Sequence, residues 1–123
     1  MSRTVNRVIL LGNAGADPDV RETGAGTRVA HLSLATNRVY RQDGEPQRRT
    51  EWHRLTFWGR QAETVESYVS KGAKLYIEGH IEYGSYDRDG VAIPTVDVVV
   101  EDFVMLDPRP VDAEEPQEAL ATA

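Results

Sequence analysis

Two tryptophans stand six positions apart in Thr50-Glu51-Trp52-His53-Arg54-Leu55-Thr56-Phe57-Trp58-Gly59-Arg60, with an arginine and a threonine at the alternate positions between them. Side chains alternate across a β-strand, so Trp52, Arg54, Thr56 and Trp58 share one face and His53, Leu55 and Phe57 the other. The second set is mostly apolar and should look into a core. The first is unusual for a solvent face. At about 3.3 Å per residue the two indoles lie roughly 20 Å apart, too far to stack on each other. They can hold different bases of one unpaired strand, with Arg54 meeting phosphate or stacking on a base. Base–aromatic stacking contributes about 1–3 kcal/mol per base and reads no sequence, because every base has a π-face. A lone strand tryptophan more often covers core surface or a subunit interface. Two on a polar-patterned face, next to a basic loop, favour base stacking.

Two tyrosines extend the candidate set. Tyr40 stands beside Arg38 and Arg41, and Tyr86 is two residues from Arg88. Each fits a stacking platform or a half-buried strand residue. The candidate phosphate and base contacts are Arg7, Arg41, Arg48, Arg49, Arg54, Arg60 and Lys74. His31, His53 and His80 fall on separate strands with no His-x-x-x-His spacing and no cysteine, so no metal site is expected. His53, opposite the tryptophans, reads as a buried or interface histidine. A glycine-rich phosphate loop, a nucleophile elbow and a paired-carboxylate motif are all missing. The expectation is a binding protein with no catalytic residues and no cofactor.

The charge distribution agrees with that reading although the total does not. The 123 residues carry a formal net charge of −6. Residues 107–123 hold −4 of it, whereas 38–60 carry +3. A local basic patch can neutralise phosphates on an acidic molecule. Of the 14 cations 12 are arginine, which both pairs and stacks. There is no cysteine, which excludes disulfides and thiolate metal sites. With no apolar run of about 18 residues and no signal-peptide pattern, a cytoplasmic protein without membrane contact is expected.

The elements needed to position these residues follow from periodicity and turn chemistry. A strand is expected over Val5–Gly12, broken by Gly12, Gly15 and Pro18. A second runs from Thr27 to Tyr40, a polar loop from Arg41 to Arg49, and a third strand from Thr50 to Trp58. From Gln61 to Ser70 the spacing of Ala62, Val65, Tyr68 and Val69 predicts a helix. Glu63 lies near its start, Lys71 near its end, and Gly72 is the stop. Strands over 73–86 and 91–106 follow, joined by a hairpin turn at Asp89-Gly90. Three strands, a helix and two strands predict an all-β chain: a five-stranded OB-fold barrel with one α-helix between strands 3 and 4. A mixed α+β sandwich has the same order. The barrel domain is expected over 1–106, and 107–123 as an acidic, disordered C-terminal tail.

These blocks resemble the bacterial-type single-stranded DNA-binding proteins over nearly all of residues 2–106. The resemblance rests on Val5-Asn6, Val8, Leu10, Gly12 and Asp17-Pro18; on Leu34-Ala35-Thr36; on Thr50-Glu51-Trp52-His53-Arg54; and on Gly59, Lys71-Gly72 and Ile77-Glu78-Gly79. It implies an OB-fold protomer, assembled as a homotetramer, that binds and protects single-stranded DNA in replication, repair and recombination. The family's stacking aromatics fall on Tyr40, Trp52, Trp58 and Tyr86, and its subunit interface on His53. Positions 40 and 86 are tyrosines where the best-known members have tryptophan, which implies weaker stacking there. Pro94 should mark an edge or a bulge in the final strand. Family members recruit replication and repair proteins through an acidic tip ending in Pro-Phe. This sequence ends Glu118-Ala119-Leu120-Ala121-Thr122-Ala123, which fits a shortened chain or a phage- or plasmid-encoded member that recruits partners otherwise. An OB-fold interaction module of primosome assembly and an RNA-binding OB domain are the alternatives.

Overall fold

The computed structural model describes residues 3–106; the tail expected over 107–123 lies outside them. Six strands and one helix follow in the order β1 (Val8–Ala14), β2 (Asp19–Glu22), β3 (Arg28–Gln42), β4 (Glu45–Trp58), α1 (Arg60–Tyr68), β5 (Lys74–Arg88) and β6 (Val91–Met105). The sheet runs β1-β5-β6-β4-β3-β2, and β1 also pairs with β3 through Asn13↔Ala35 and Ala14↔Leu34. That second pairing closes β1, β5, β6, β4 and β3 into a five-stranded barrel. The short β2 runs along β3 outside the closure. This is the OB-fold expected from the element order.

Alternating apolar side chains fill the barrel. Leu34, Leu55, Phe57, Leu75 and Ile77 are fully buried, and Phe57 meets Phe103 edge to face at 5.2 Å. From α1 only Ala62 and Val65 are buried, which plugs the helix against this core. Tyr68, counted on the apolar stripe in the sequence, is 71% exposed. The helix stops at Tyr68, two residues earlier than expected, so Lys71 lies beyond it. The Lys71 backbone N–H donates to Asp17 Oδ1 instead, at 2.8 Å.

The structure departs from the sequence reading over the first strand, over 19–22 and over 41–49, each for a physical reason. β1 does not break at Gly12 but runs through it to Ala14; a Cβ there would stand 2.2 Å from the Ala35 carbonyl oxygen, so the glycine lets β1 approach β3. The first strand starts at Val8 because the Asn6 side chain takes the ladder position: Nδ2 donates to the Ile81 carbonyl at 2.8 Å, and Oδ1 accepts from its N–H at 3.0 Å. The helix therefore lies between β4 and β5, since the polar segment Asp-Val-Arg-Glu forms the additional strand β2. The segment 41–49 is not a loop. β3 and β4 stay paired out to Gln42↔Glu45, around Asp43 and Gly44 at φ 54° and 78°. Positive φ at both central residues is the two-residue turn whose twist matches the strands it joins. Pro94 sits where β6 pairs with β5 only, on an open edge, and the register shift falls elsewhere, at Glu78/Gly79.

Candidate nucleic-acid interface

The inner half of β4 alternates as the sequence requires. Leu55 and Phe57 are fully buried, while Trp52 is 62% and Trp58 48% exposed. Arg54 is exposed between them and His53 is half-buried on the other face. Thr56 is the exception. It lies on the tryptophan face yet is 4% exposed, because β6 joins β4 there (Thr56↔Val99) and His31 of β3 covers it, with Nδ1 3.3 Å from the Thr56 hydroxyl. Burial, followed by the Arg54 charge, holds the His31 imidazole below its ordinary range. The solvent face of β4 is thus two open indoles with a guanidinium between them.

Trp52 is placed by a residue absent from the sequence-derived set. A Cβ on Gly15 would stand 2.3 Å from Cζ3 of the indole and 2.9 Å from Cη2. The edge of the six-membered ring therefore lies against the chain just past β1, and any side chain at Gly15 would push it off. Gly15→Ala is expected to cost part of the oligonucleotide affinity that Trp52→Ala costs, and to add little in a Trp52→Ala background, since the two changes act on one ring. Titration of the three variants with oligo-dT checks this. The sequence signals Gly15 only as a strand breaker; its packing role comes from closure of the barrel.

The other candidates divide by position. Tyr86, 49% exposed, is on the outward row of β5 with Gly84, Glu82 and His80, next to β6. Tyr40 is paired with Gln47, an odd number of residues from Trp52, so the pleat puts it on the opposite side of the β3–β4 ribbon. The Arg38 guanidinium lies 5.2 Å from its ring centroid, a cation–π contact within the arm. Arg41, Arg48 and Arg49 are exposed on the same projecting hairpin; Arg41 donates to the Gly44 carbonyl and Arg49 pairs with Glu51 at 3.0 Å. Arg60 opens α1 two residues after Trp58, behind the N-cap Gly59, and is exposed. Lys74 begins β5 beside Asn13 of β1. Arg7 is set apart from the tryptophans, paired with Glu78 at 3.1 Å on a surface that also exposes Ile9 and Leu11. His53 Nε2 is 2.9 Å from the Thr36 hydroxyl.

Carboxylates enter this face from β6, beside β4, and from β5 beyond it, and the sequence reading did not anticipate them. Asp97 of β6 stands 2.8 Å from Arg54, and Glu82 of β5 is paired with Asp97. His80 links Glu82 and Glu101, its Nε2 2.8 Å from one carboxylate and its Nδ1 2.7 Å from the other. The hydrogen bonds to Glu82 and Glu101 raise the His80 pKa above 6.5. A raised folded-state value means the contribution to stability is complete below the unfolded value, near 6.5, and is lost as pH rises through the folded value. The thermal midpoint of the wild-type chain should therefore exceed that of His80→Gln most below pH 6.5. The difference should shrink as the pH climbs, and melting curves of both across pH 5–9 measure it. Among the described residues no group of three or more histidine and acidic side chains could hold a metal ion. No helix there is long and apolar enough to cross a membrane.

A closed OB barrel with an aromatic outer face and an arginine-rich arm is the architecture of an oligonucleotide-binding protein. The chain belongs to the Single-strand binding protein family, which it matches over residues 5–106. The single-stranded DNA-binding proteins of Xanthomonas axonopodis pv. citri and Xanthomonas campestris pv. campestris are 42% and 41% identical to it over 111 residues, 89% of the chain. The chain spans 62% and 64% of the length of these relatives. Among solved structures, a Plasmodium falciparum SSB in complex with ssDNA matches with a TM-score of 0.79 at 25% identity, covering 87% of this chain and 99% of its own. A deletion mutant of the single-stranded DNA-binding protein from Thermus aquaticus matches with a TM-score of 0.77 at 33% identity, covering 89% and 54%. Membership in a family defined by strand binding rather than by a reaction agrees with the expectation of a binding protein and not an enzyme.

Proposed function

We propose that this chain binds single-stranded DNA without reading its sequence and protects it during replication, repair and recombination. The observation that carries this reading is the outward projection of Trp52, Arg54 and Trp58 from one strand. The indoles stack on bases, Tyr86 adds a third ring beside them, and the arm carrying Arg38, Tyr40, Arg41, Arg48 and Arg49 follows the phosphates. The names of the relatives and the ssDNA complex of the Plasmodium protein support the same ligand.

We further propose a homotetramer acting in the cytoplasm at the nucleoid. Ile9, Leu11 and Val104 expose 58%, 51% and 48% of their surface on the outer side of β1, β5 and β6, where Leu11, Tyr76 and Val104 stand in register. Exposed apolar side chains of this kind, bordered by the Arg7–Glu78 ion pair, suit association between copies. His53, held by Thr36 on the face opposite the tryptophans, is placed for a second contact between subunits.

Titration with oligo-dT at several salt concentrations tests the ligand, and a mass measurement of the protein alone tests the assembly. Affinity should fall with salt with a log–log slope near −0.7 per phosphate neutralised. Oligo-dT should bind far more tightly than duplex, and the mass should be four chains. Equal affinity for duplex would point to a protein-interaction module. Preference for oligo-U in competition with oligo-dT would point to RNA, because stacking alone does not sense the 2′-hydroxyl.

A further inference from the structure

The tryptophan face is not electropositive. Across residues 52–58 of β4, 80–86 of β5 and 93–101 of β6, Arg54 is the only lysine or arginine, and the same segments carry Glu82, Asp97 and Glu101. The nearest of these carboxylates is already against the guanidinium, with Asp97 Oδ1 2.8 Å from Arg54 Nε. We propose that Asp97 occupies the place a DNA phosphate takes on Arg54, so that strand binding exchanges a carboxylate for a phosphate and Asp97 holds the affinity down. This rests on the single-strand binding proposed above.

Three features of the contact favour exchange over a fixed pair. The approach is close, yet Asp97 Oδ1 accepts no hydrogen bond among the described residues, so the contact is charge proximity without a directed N–H. The pair thus lacks the directed charge-assisted hydrogen bond that is the strong part of such contacts, and an arriving phosphate competes with charge proximity alone, against the cost of leaving the buried Oδ1 without its cation. The Arg54 side chain is 57% exposed and Asp97 29%, so the guanidinium has an open side on which a phosphate can arrive. Glu82, in register with Asp97 on β5, adds a second negative charge to the row and repels the carboxylate that Arg54 attracts. His80 draws Glu82 the other way, toward its own Nε2. The row across β4, β6 and β5 is therefore an anion site filled by the protein's own side chain.

A salt-dependent response follows. While Asp97 stays on Arg54, the guanidinium neutralises less than one phosphate and so releases less than one counterion from the strand; without the carboxylate it neutralises a full one. Asp97→Asn keeps the shape and removes the charge. It should tighten oligo-dT binding by about five- to tenfold at low salt. Its log–log salt slope should steepen by up to about 0.7. Asp97→Ser should act in the same direction, and melting curves should show both variants folded. In an Arg54→Met background the gain should vanish, because no cation is left to release.

Oligo-dT titrations of the wild type, the single variants and the double variant at four salt concentrations provide the test. Unchanged or weaker binding by both Asp97 variants overturns the inference, since Asp97 would then be a bystander or would hold Arg54 in its working pose. A gain that persists without Arg54 also overturns it, as general charge removal would explain that result. Either outcome leaves the proposed function standing, provided the wild type binds. A wild-type chain that does not bind oligo-dT overturns both.

Discussion

Trp52→Ala and Trp58→Ala are each expected to weaken oligo-dT binding by about 1–3 kcal/mol, roughly five- to 150-fold, while leaving the fold in place. The indoles are 62% and 48% exposed, so their removal opens solvent-facing surface and not a core cavity. Their effects should be close to additive. About six residues of strand separate them, at roughly 3.3 Å each, and each ring holds a different base. Binding isotherms and melting curves of the two single variants and the double variant measure both properties.

Phe57→Ala is expected to do the reverse. Phe57 directly precedes Trp58, yet it is fully buried and packs edge to face on Phe103. Truncating a buried phenylalanine costs about 3–5 kcal/mol, through lost transfer energy and the cavity left behind. In a domain of about 100 residues that lowers the melting temperature by more than about 10 °C. At a temperature where the variant is still folded, its oligo-dT affinity should stay near wild type. Adjacent residues of one strand would then separate cleanly, one acting on binding and the next on stability. Only a pleated β4 with the indoles outside predicts that division.

That division was legible in the sequence because, Thr56 apart, β4 is buried on one side only between Trp52 and Trp58. Where one face is wet and the other dry, alternation is written into residue type. The same rule explains the failure over 41–49. The β3–β4 arm stands off the barrel with both sides exposed, so no alternation marks it and its polar residues resemble a loop. Asp43-Gly44 and Asp89-Gly90 carry the same turn chemistry, but only the second was flanked by residues that read as strand. β2 was missed because four residues with one half-buried valine leave no pattern. Asn6 ended the first strand through a side-chain contact with Ile81, 75 positions away.

The candidate site was legible as residue types more than as an arrangement. Trp52, Trp58 and Arg54 came from local alternation. Gly15 and Asp97 did not, since their contacts with Trp52 and Arg54 exist only after β1 closes onto β3 and β6 lies parallel to β4. Tyr40 illustrates the opposite limit. Its closeness in sequence to the basic residues made it a stacking candidate without saying on which face, and only counting along the β3–β4 register puts it across the ribbon from the tryptophans.

The most direct measurement is indole fluorescence of two single-tryptophan chains, Trp52→Phe and Trp58→Phe, titrated to saturation with oligo-dT. If both rings of β4 take bases on their open faces, emission from each remaining indole is quenched with the same dependence on oligonucleotide. Saturated binding with either indole's emission unchanged would place that ring outside the contact and contradict the account.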